Sequence, residues 1–338
     1  MAIKVGINGF GRIGRQVYKV IYERYSDVLD VEAINDLAPV ATNAHMLKYD
    51  STYGRFPGEI DVKDDNLYID GNLMKSYAVR NPAELPWGEL GVDIVLECTG
   101  IFRSREKAAA HLEAGAKKVI ISAPGSGAVD GTFCMGVNHE EYDASSQHVI
   151  SNASCTTNCL APVAKVLNDS FGIESGIMST IHAVTNGQAI LDVAGKDLRR
   201  ARTAFANIIP TTTGAAKAIS LVIPDLDGKL DGMAYRVPVV TGSVVDLVVK
   251  LGKDVSAKEV NAALKAGSDS EGWLGTVLDY SEEPLVSSDY IGAPASSTVD
   301  ALSTNKIGDM VKVVTWYDNE WGYSNRLADL ATYVASKM

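Results

Sequence analysis

Six residues near the start of the chain, Gly9-Phe10-Gly11-Arg12-Ile13-Gly14, set three glycines in the spacing GxGxxG. Alone the pattern says little, because the chain holds 30 glycines and a tight turn uses them for its own sake. Its surroundings make it restrictive. It follows a strand-like run over residues 3–8 and opens a helix whose apolar face is Ile13, Val17, Val20 and Ile21. An acid, Asp36, ends the next strand, Val31 to Asn35, about twenty positions on. In that setting glycines let the backbone approach a pyrophosphate, the helix N-terminus offers free N–H groups, and Asp36 accepts from a ribose hydroxyl. Its carboxylate would repel a 2′-phosphate, which favours NAD over NADP.

The pattern continues as parallel βαβ units do. Val92 to Cys98 reads as a strand, Ser104 to Ala114 as a helix and Val119 to Ser122 as a strand. After about Ser151 the texture changes. Strand-like runs Ile177–Thr185, Ser243–Lys250 and Val311–Tyr317 have longer connections, and a helix over 256–267 opens with a capping box, Ser256 and Glu259. The expected fold is α/β: a doubly wound (Rossmann) NAD-binding domain and an α+β catalytic domain with a mostly antiparallel sheet. The change of texture near Ser151 divides the chain into two domains, which 338 residues accommodate.

Charge limits the partners. With 31 basic and 42 acidic residues the formal balance is −11, which argues against nucleic acid and against a polybasic membrane anchor. Small anions remain possible wherever a helix N-terminus or a local arginine overrides the net sign. The N-terminal residues lack a signal-peptide pattern, and no apolar run approaches the ~20 residues of a membrane span. The four cysteines, Cys98, Cys134, Cys155 and Cys159, form no zinc motif and no disulfide framework, and so fit a reducing compartment.

One cysteine stands apart. Ser154 is a good N-cap for an apolar helix (Leu160, Val163, Val166, Leu167), so Cys155 falls in the first turn, where the macrodipole favours a thiolate. A cysteine so placed is still more often packing than nucleophile. His182, near the end of a later strand, changes the weighing, because that strand could bring an imidazole beside the thiol. His45, His111, His139 and His148 have no comparable setting, and Cys98 and Cys134 read as inert packing.

Five segments together resemble the phosphorylating glyceraldehyde-3-phosphate dehydrogenases: INGFGRIGR at 7–15, SNASCTTNCLAPV at 151–163, NIIPTTTGAAKA at 207–218, GKLDGMAYRVP at 228–238 and WYDNEWGYSNR at 316–326. The resemblance covers essentially the whole chain in family order, and it implies a dinucleotide-binding domain over residues 1–154 and 319–338, to which the C-terminal helix returns, and a catalytic domain over 155–318. It implies that Cys155 attacks the aldehyde carbon with His182 as base and thiolate partner. Oxidation would leave a thioester on Cys155, and inorganic phosphate would release it as 1,3-bisphosphoglycerate. The substrate phosphate would be held by Thr185 and Arg236. The attacking phosphate would lie near Ser154, Thr156, Thr213 and Gly214, with Arg200 chosen from the cluster Arg199-Arg200-Ala201-Arg202. Gly9, Gly11, Arg12, Ile13, Gly14, Asp36, Arg80, Ser122 and Asn319 match cofactor positions, with Tyr323 packing nearby. The loop at about 184–207 would lie against a neighbouring subunit, implying a cytoplasmic, glycolytic homotetramer acting on small molecules, with no metal.

Two departures accompany the match. Many NAD-preferring members carry Leu-Pro where this chain has Val193-Ala194, which leaves NADP open beside NAD, and the small residues of His182–Gly187 also differ from common members. A sister aldehyde dehydrogenase, for erythrose 4-phosphate or aspartate semialdehyde, is the close alternative. Thr213-Gly214 favours the triose enzyme. A binding or adhesion protein that has lost catalysis is the distant one, and Cys155, His182 and Arg236 argue against it.

Overall fold

The computed structural model describes residues 2–338, which fall into two compact units. The first comprises Met1–Phe133, Glu140–Ala153 and Ser324–Met338; the second comprises Cys134–His139 and Ser154–Tyr323.

The first unit holds a nine-stranded sheet among the described residues. Its order runs Gly131–Thr132, Val149–Ser151, Lys118–Ile121, Ile94–Glu97, Ile3–Asn8, Leu29–Asn35, Asn72–Tyr77, Asn66–Ile69 and Ile60–Lys63. The first seven strands are parallel, and the last two continue the sheet antiparallel. In Ile3–Asn8 the residues Val5, Gly6, Ile7 and Asn8 are buried in succession, as a central strand covered on both faces requires. Gly6 lacks a side chain for a packing reason: a Cβ there would lie 2.8 Å from the ring of Trp87, itself fully buried. Between Ile3–Asn8 and Ile94–Glu97 the strand order reverses direction, the topological switch point where such sheets bind ligands.

The expected helix Ser104–Ala114 is two short pieces, Arg105–Ala108 and Ala110–Glu113. At their junction the Leu112 N–H bonds the Ala109 carbonyl three residues back, a tightened turn that interrupts the α-helical ladder. The last helix, Trp321–Ala335, buries Leu327, Leu330 and Val334 completely. Its residues Asn325 and Asp329 accept hydrogen bonds from Arg24 and Tyr25.

The helix Arg12–Val20 is tied to buried Asp50. Arg12 and Gln16 each donate to Asp50 Oδ2 at 2.7 Å, and the N–H groups of Thr52 and Tyr53 donate to Oδ1 at 2.9 and 3.1 Å. Burial works against the Asp50 carboxylate, but these donors and the charges of Arg12 and Lys19 outweigh it and hold its pKa at about 2. The folded value lies below the unfolded ~3.9, so this stabilisation is present above about pH 4 and is lost as pH falls towards 2. We expect Asp50→Asn to lose roughly 2 kcal/mol at neutral pH, and the deficit to shrink in that acid window. Urea unfolding at several pH values measures it; a deficit independent of pH would contradict the account.

The second unit is built on a seven-stranded sheet. Its order is Ile209–Thr212, Leu230–Val237, Ile173–Ala183, Ser243–Leu251, Met310–Tyr317, Ser297–Ile307 and Leu278–Ser281. Four of the six pairings are antiparallel. Ser243–Leu251 alternates buried and half-exposed residues at period two, as one covered face demands. The helix Cys155–Phe171 packs on that sheet through Leu160, Val163, Ala164 and Leu167, all fully buried. The capping box at Ser256 and Glu259 forms as the sequence predicts. The strand that carries His182 begins at Ile173, four residues before the apolar run suggested, and stops at Ala183, so Thr185 lies beyond it.

Candidate active site

Each glycine of the first turn has its own task. Gly9 has φ +91°, and a Cβ on it would lie 2.7 Å from the Thr99 nitrogen. A Cβ on Gly14 would lie 2.1 Å from the Gly9 carbonyl oxygen, so only glycine lets the helix pack on the turn. Gly11, the N-cap, has no atom within 4 Å of where its Cβ would be. The helix N-terminus therefore faces open space, without a side-chain cap to compete for its N–H groups. Asp36 accepts from Phe10 N (2.8 Å, Oδ2) and Ala38 N (2.9 Å, Oδ1), which ties the end of its strand to the glycine turn.

Other expected cofactor residues surround this turn less tightly. Ile13 is half-buried on the helix; Arg12 is turned to Asp50 and lies over the Tyr53 ring. Arg80 is exposed after the strand Asn72–Tyr77, and Ser122 N–H donates to the Glu97 carbonyl at 2.9 Å.

The thiol sits in the second unit. Ala153 adopts φ +55°, a left-handed conformation uncommon outside glycine, and the chain then enters the helix. Ser154 caps it, its Oγ accepting from Thr157 N at 2.9 Å, so Cys155 is the first helical residue. Cys155 Sγ lies 3.4 Å from His182 Nε2. His182 is 3% exposed, and its register partner on the neighbouring parallel strand is Arg236. That pairing explains why Arg236 Nη1 reaches His182 Nδ1 and also donates to the Ala183 carbonyl at 2.9 Å. His182 Nδ1 is 2.7 Å from the same carbonyl. With its proton on Nδ1, donated to Ala183, the imidazole presents a free Nε2 base to the thiol; with Nδ1 accepting from Arg236, it presents Nε2–H to a thiolate.

Electrostatics separates Cys155 from its fellows. Burial pushes Cys98 and Cys134 up to about 12 and Cys159 higher still. Burial also raises Cys155, but there Arg236 and hydrogen bonds from Thr156 oppose it. Burial, then Arg236, drives His182 down to about 3. These tendencies favour a neutral pair. An imidazolium–thiolate pair 3.4 Å apart gains about 5 kcal/mol at an effective dielectric near 20, and the helix N-terminus adds to it. The two groups therefore titrate as one unit. The sequence predicts an imidazolium beside the thiol; burial and Arg236 instead favour a neutral His182, and the permanent cation at the site is Arg236, whose Nε–H is buried without a hydrogen-bond partner in the protein.

Among the remaining predicted residues, Thr156 turns its hydroxyl inward to Tyr317 (2.8 Å). Asn319 accepts from Ser243 Oγ at 2.8 Å, and Ser243 accepts from Ala183 N, so the amide is linked to the residue after the imidazole. Tyr323 is buried. Arg200 Nε donates to Thr211 Oγ1 at 2.9 Å, and its charge reaches Arg236. Thr185 is exposed with its hydroxyl on Gln188, Thr213 Oγ1 accepts from Ala215 N at 3.2 Å, and Gly214 borders open space. The structure thus brings Cys155, His182 and Arg236 together in a row of contacts, and two hydrogen bonds through Ser243 link the Ala183 N–H to Asn319.

Comparison with known proteins agrees over the full chain. Residues 3–105 match the family described as glyceraldehyde 3-phosphate dehydrogenase, NAD binding domain, and residues 154–319 match the C-terminal domain of the same family. The chain belongs to the glyceraldehyde-3-phosphate dehydrogenase family. It is 60% identical over 338 residues to the glyceraldehyde-3-phosphate dehydrogenase of Geobacillus stearothermophilus, covering 100% of this chain and 99% of that one. Identity is 56% to the enzyme of that name from Streptomyces coelicolor, with 100% of both chains covered. It is 58% to glyceraldehyde-3-phosphate dehydrogenase 1 of Bacillus subtilis, covering 100% of this chain and 99% of that one. As a member of this family the chain is an oxidoreductase that uses NAD, and the open N-terminus at Gly11 fits a dinucleotide's pyrophosphate.

Residue-level reading missed Tyr317. It is fully buried, bridges Thr156 and Thr180 (2.8 and 3.0 Å) and sets its ring edge-on to His182 at 5.9 Å. A tyrosine closing a strand carries no signal of this; only the register of Met310–Tyr317 against Ser243–Leu251 places it there.

Proposed function

We propose that this chain oxidises glyceraldehyde 3-phosphate, with inorganic phosphate, to 1,3-bisphosphoglycerate through Cys155. The 3.4 Å contact between Cys155 Sγ and His182 Nε2, backed by Arg236, is the observation that carries the reading. The thiol gives its proton to His182 as sulfur bonds to the aldehyde carbon, and the new alkoxide meets the Cys155 N–H and the His182 Nε2–H. NAD supplies the acceptor for the hydride that leaves that carbon. Cys155 then holds a thioester, which inorganic phosphate attacks; the C–S bond breaks and the thiolate is restored. A thioester keeps the oxidation energy in reactive form where a serine ester would not. The partnerless Nε–H of Arg236, with Thr185, is suited to the substrate phosphate. Ser154, Thr156, Thr213, Gly214 and Arg200 are assigned to the attacking phosphate.

NAD would be held by Gly9, Gly11, Arg12, Ile13, Gly14, Asp36, Arg80 and Ser122, with Asn319 on the carboxamide and Tyr323 beside it. Assays with both sugars, with and without phosphate, test the substrate: turnover of erythrose 4-phosphate equal to or better than that of the triose would overturn the assignment. For the cofactor, Asp36→Ala is expected to weaken NAD binding and narrow the NAD/NADP ratio of kcat/KM by about tenfold, as loss of one charge repulsion implies. An unchanged ratio would remove Asp36 from that role.

The assembly we propose is a homotetramer. The loop at 184–207 exposes Ile190, Leu191, Val193 and Leu198, more apolar surface than a single loop needs in water, and it supports burial against a neighbouring subunit. Four free thiols suit the cytoplasm, and among the described residues no helix is long and apolar enough to cross a membrane.

A further inference from the structure

The switch point of the nine-stranded sheet contains a buried carboxylate that the mechanism does not use. Glu97 ends the strand Ile94–Glu97, is 1% exposed and pairs in register with Asn8, the last residue of the adjacent strand. It accepts four hydrogen bonds. Oε1 takes the N–H of Thr99 (2.8 Å) and the Thr99 hydroxyl; Oε2 takes Asn8 Nδ2 and His111 Nε2 (3.0 Å). The chain continues outward at both ends. Asn8 Oδ1 accepts from Asn35 Nδ2 at 2.7 Å, and Asn35 exchanges hydrogen bonds with the backbone of Val79 (2.8 and 2.9 Å). At the other end the Trp87 indole N–H donates to His111 Nδ1 at 3.0 Å.

That last bond fixes the tautomer. An indole N–H only donates, so Nδ1 of His111 is an acceptor and its proton sits on Nε2, pointed at Glu97. The carboxylate is therefore met by neutral donors alone, an arrangement that well-packed apolar residues would match or exceed in stability. Its position gives it another use. The chain of bonds joins the carboxyl ends of three adjacent strands, Leu29–Asn35, Ile3–Asn8 and Ile94–Glu97, directly behind the turn that begins at Gly9. Gly9 and Thr99 are in close apposition, as the forbidden Cβ position shows, and Thr99 Oγ1 in turn accepts from Ile101 N at 3.1 Å. Glu97 thus holds the two turns that flank the crevice at a fixed separation.

We propose that Glu97, supported by Asn8 and His111, is a positioning residue for the cofactor, setting the Gly9 turn and the Thr99–Ile101 turn to the spacing that takes the adenosine diphosphate half of NAD. The inference rests on the reading that the Gly9–Gly14 turn and Asp36 hold NAD. Glu97→Gln keeps the shape but turns an amide NH2 towards the donors of Asn8 and His111. Asn8→Asp combined with Glu97→Gln restores an acceptor there, since the Asn8 amide nitrogen lies 3.4 Å from His111 Nε2. Thr99→Val removes one hydroxyl at a half-exposed site and leaves the buried chain intact.

The test is titration calorimetry of the full chain with NAD and with ADP-ribose, alongside steady-state kinetics. Glu97→Gln is expected to raise both dissociation constants by the same factor of about ten, corresponding to ~1.4 kcal/mol of hydrogen bonding, with kcat at saturating NAD within about twofold of wild type. The double variant recovers most of the affinity, and Thr99→Val loses several-fold, which decides the matter if Glu97→Gln does not fold. Wild-type affinity in Thr99→Val and in any folded Glu97→Gln, while Asp36→Ala weakens NAD, would overturn the inference alone. So would a kcat that falls in step with affinity and no recovery in the double variant. Unchanged NAD binding in Asp36→Ala would overturn the cofactor reading and the inference with it.

Discussion

Cys155→Ser is expected to abolish phosphate-dependent NADH formation, with a loss of about four orders of magnitude in kcat. The substitution keeps the helix cap and the first turn, because Ser154, not residue 155, supplies the capping oxygen. What it removes is a nucleophile that ionises within reach of His182 and Arg236 and can leave again from a thioester. NAD affinity should stay within about twofold of wild type, since the glycine turn and Asp36 belong to the other compact unit. Measured turnover near the wild-type rate would remove Cys155 as nucleophile; lost NAD binding would show that the change acted through the fold.

His182→Gln comes next in size. Removing a general acid–base costs about 10²–10⁴-fold in kcat. The same variant reports on the thiol directly. In the wild type, burial raises the Cys155 thiol, while Arg236 and hydrogen bonds from the first helical turn draw it down, and the His182 Nε2 lone pair 3.4 Å away can take its proton. Glutamine takes no proton, so burial then faces Arg236 and the helix alone, and the balance moves towards the thiol. The pH midpoint for alkylation of Cys155 by iodoacetamide should therefore shift upward. A midpoint that does not move would separate His182 from the thiol's ionisation, whatever happened to kcat.

How much of this was legible beforehand depended on distance along the chain. The glycine turn, the Ser154 cap and the Ser256–Glu259 capping box are local devices, and the structure realises each of them. Element edges were softer: the Ile173–Ala183 strand extends back past the apolar run because Ile173 finds a partner in Leu251, a contact no window of sequence contains. The pairing of Cys155 with His182 was weak on spacing alone. It became firm only through family resemblance, since the register that seats His182 beside Arg236 is tertiary. For the same reason the sequence carries no local sign of Tyr317, Ala153 or the Glu97–His111 chain. His111 has no catalytic setting in the sequence, and nothing near it there announces Trp87 or Asn8 as partners.

The central claim is that oxidation leaves an acyl group on Cys155 that only phosphate removes efficiently. The direct measurement is mass spectrometry of the protein mixed with NAD and glyceraldehyde 3-phosphate, first without phosphate and then after its addition. The account predicts a 3-phosphoglyceroyl adduct on the peptide bearing Cys155, formed together with one burst of NADH and discharged when phosphate is added. NADH formed with no adduct on Cys155, or an adduct that phosphate leaves in place, would contradict it.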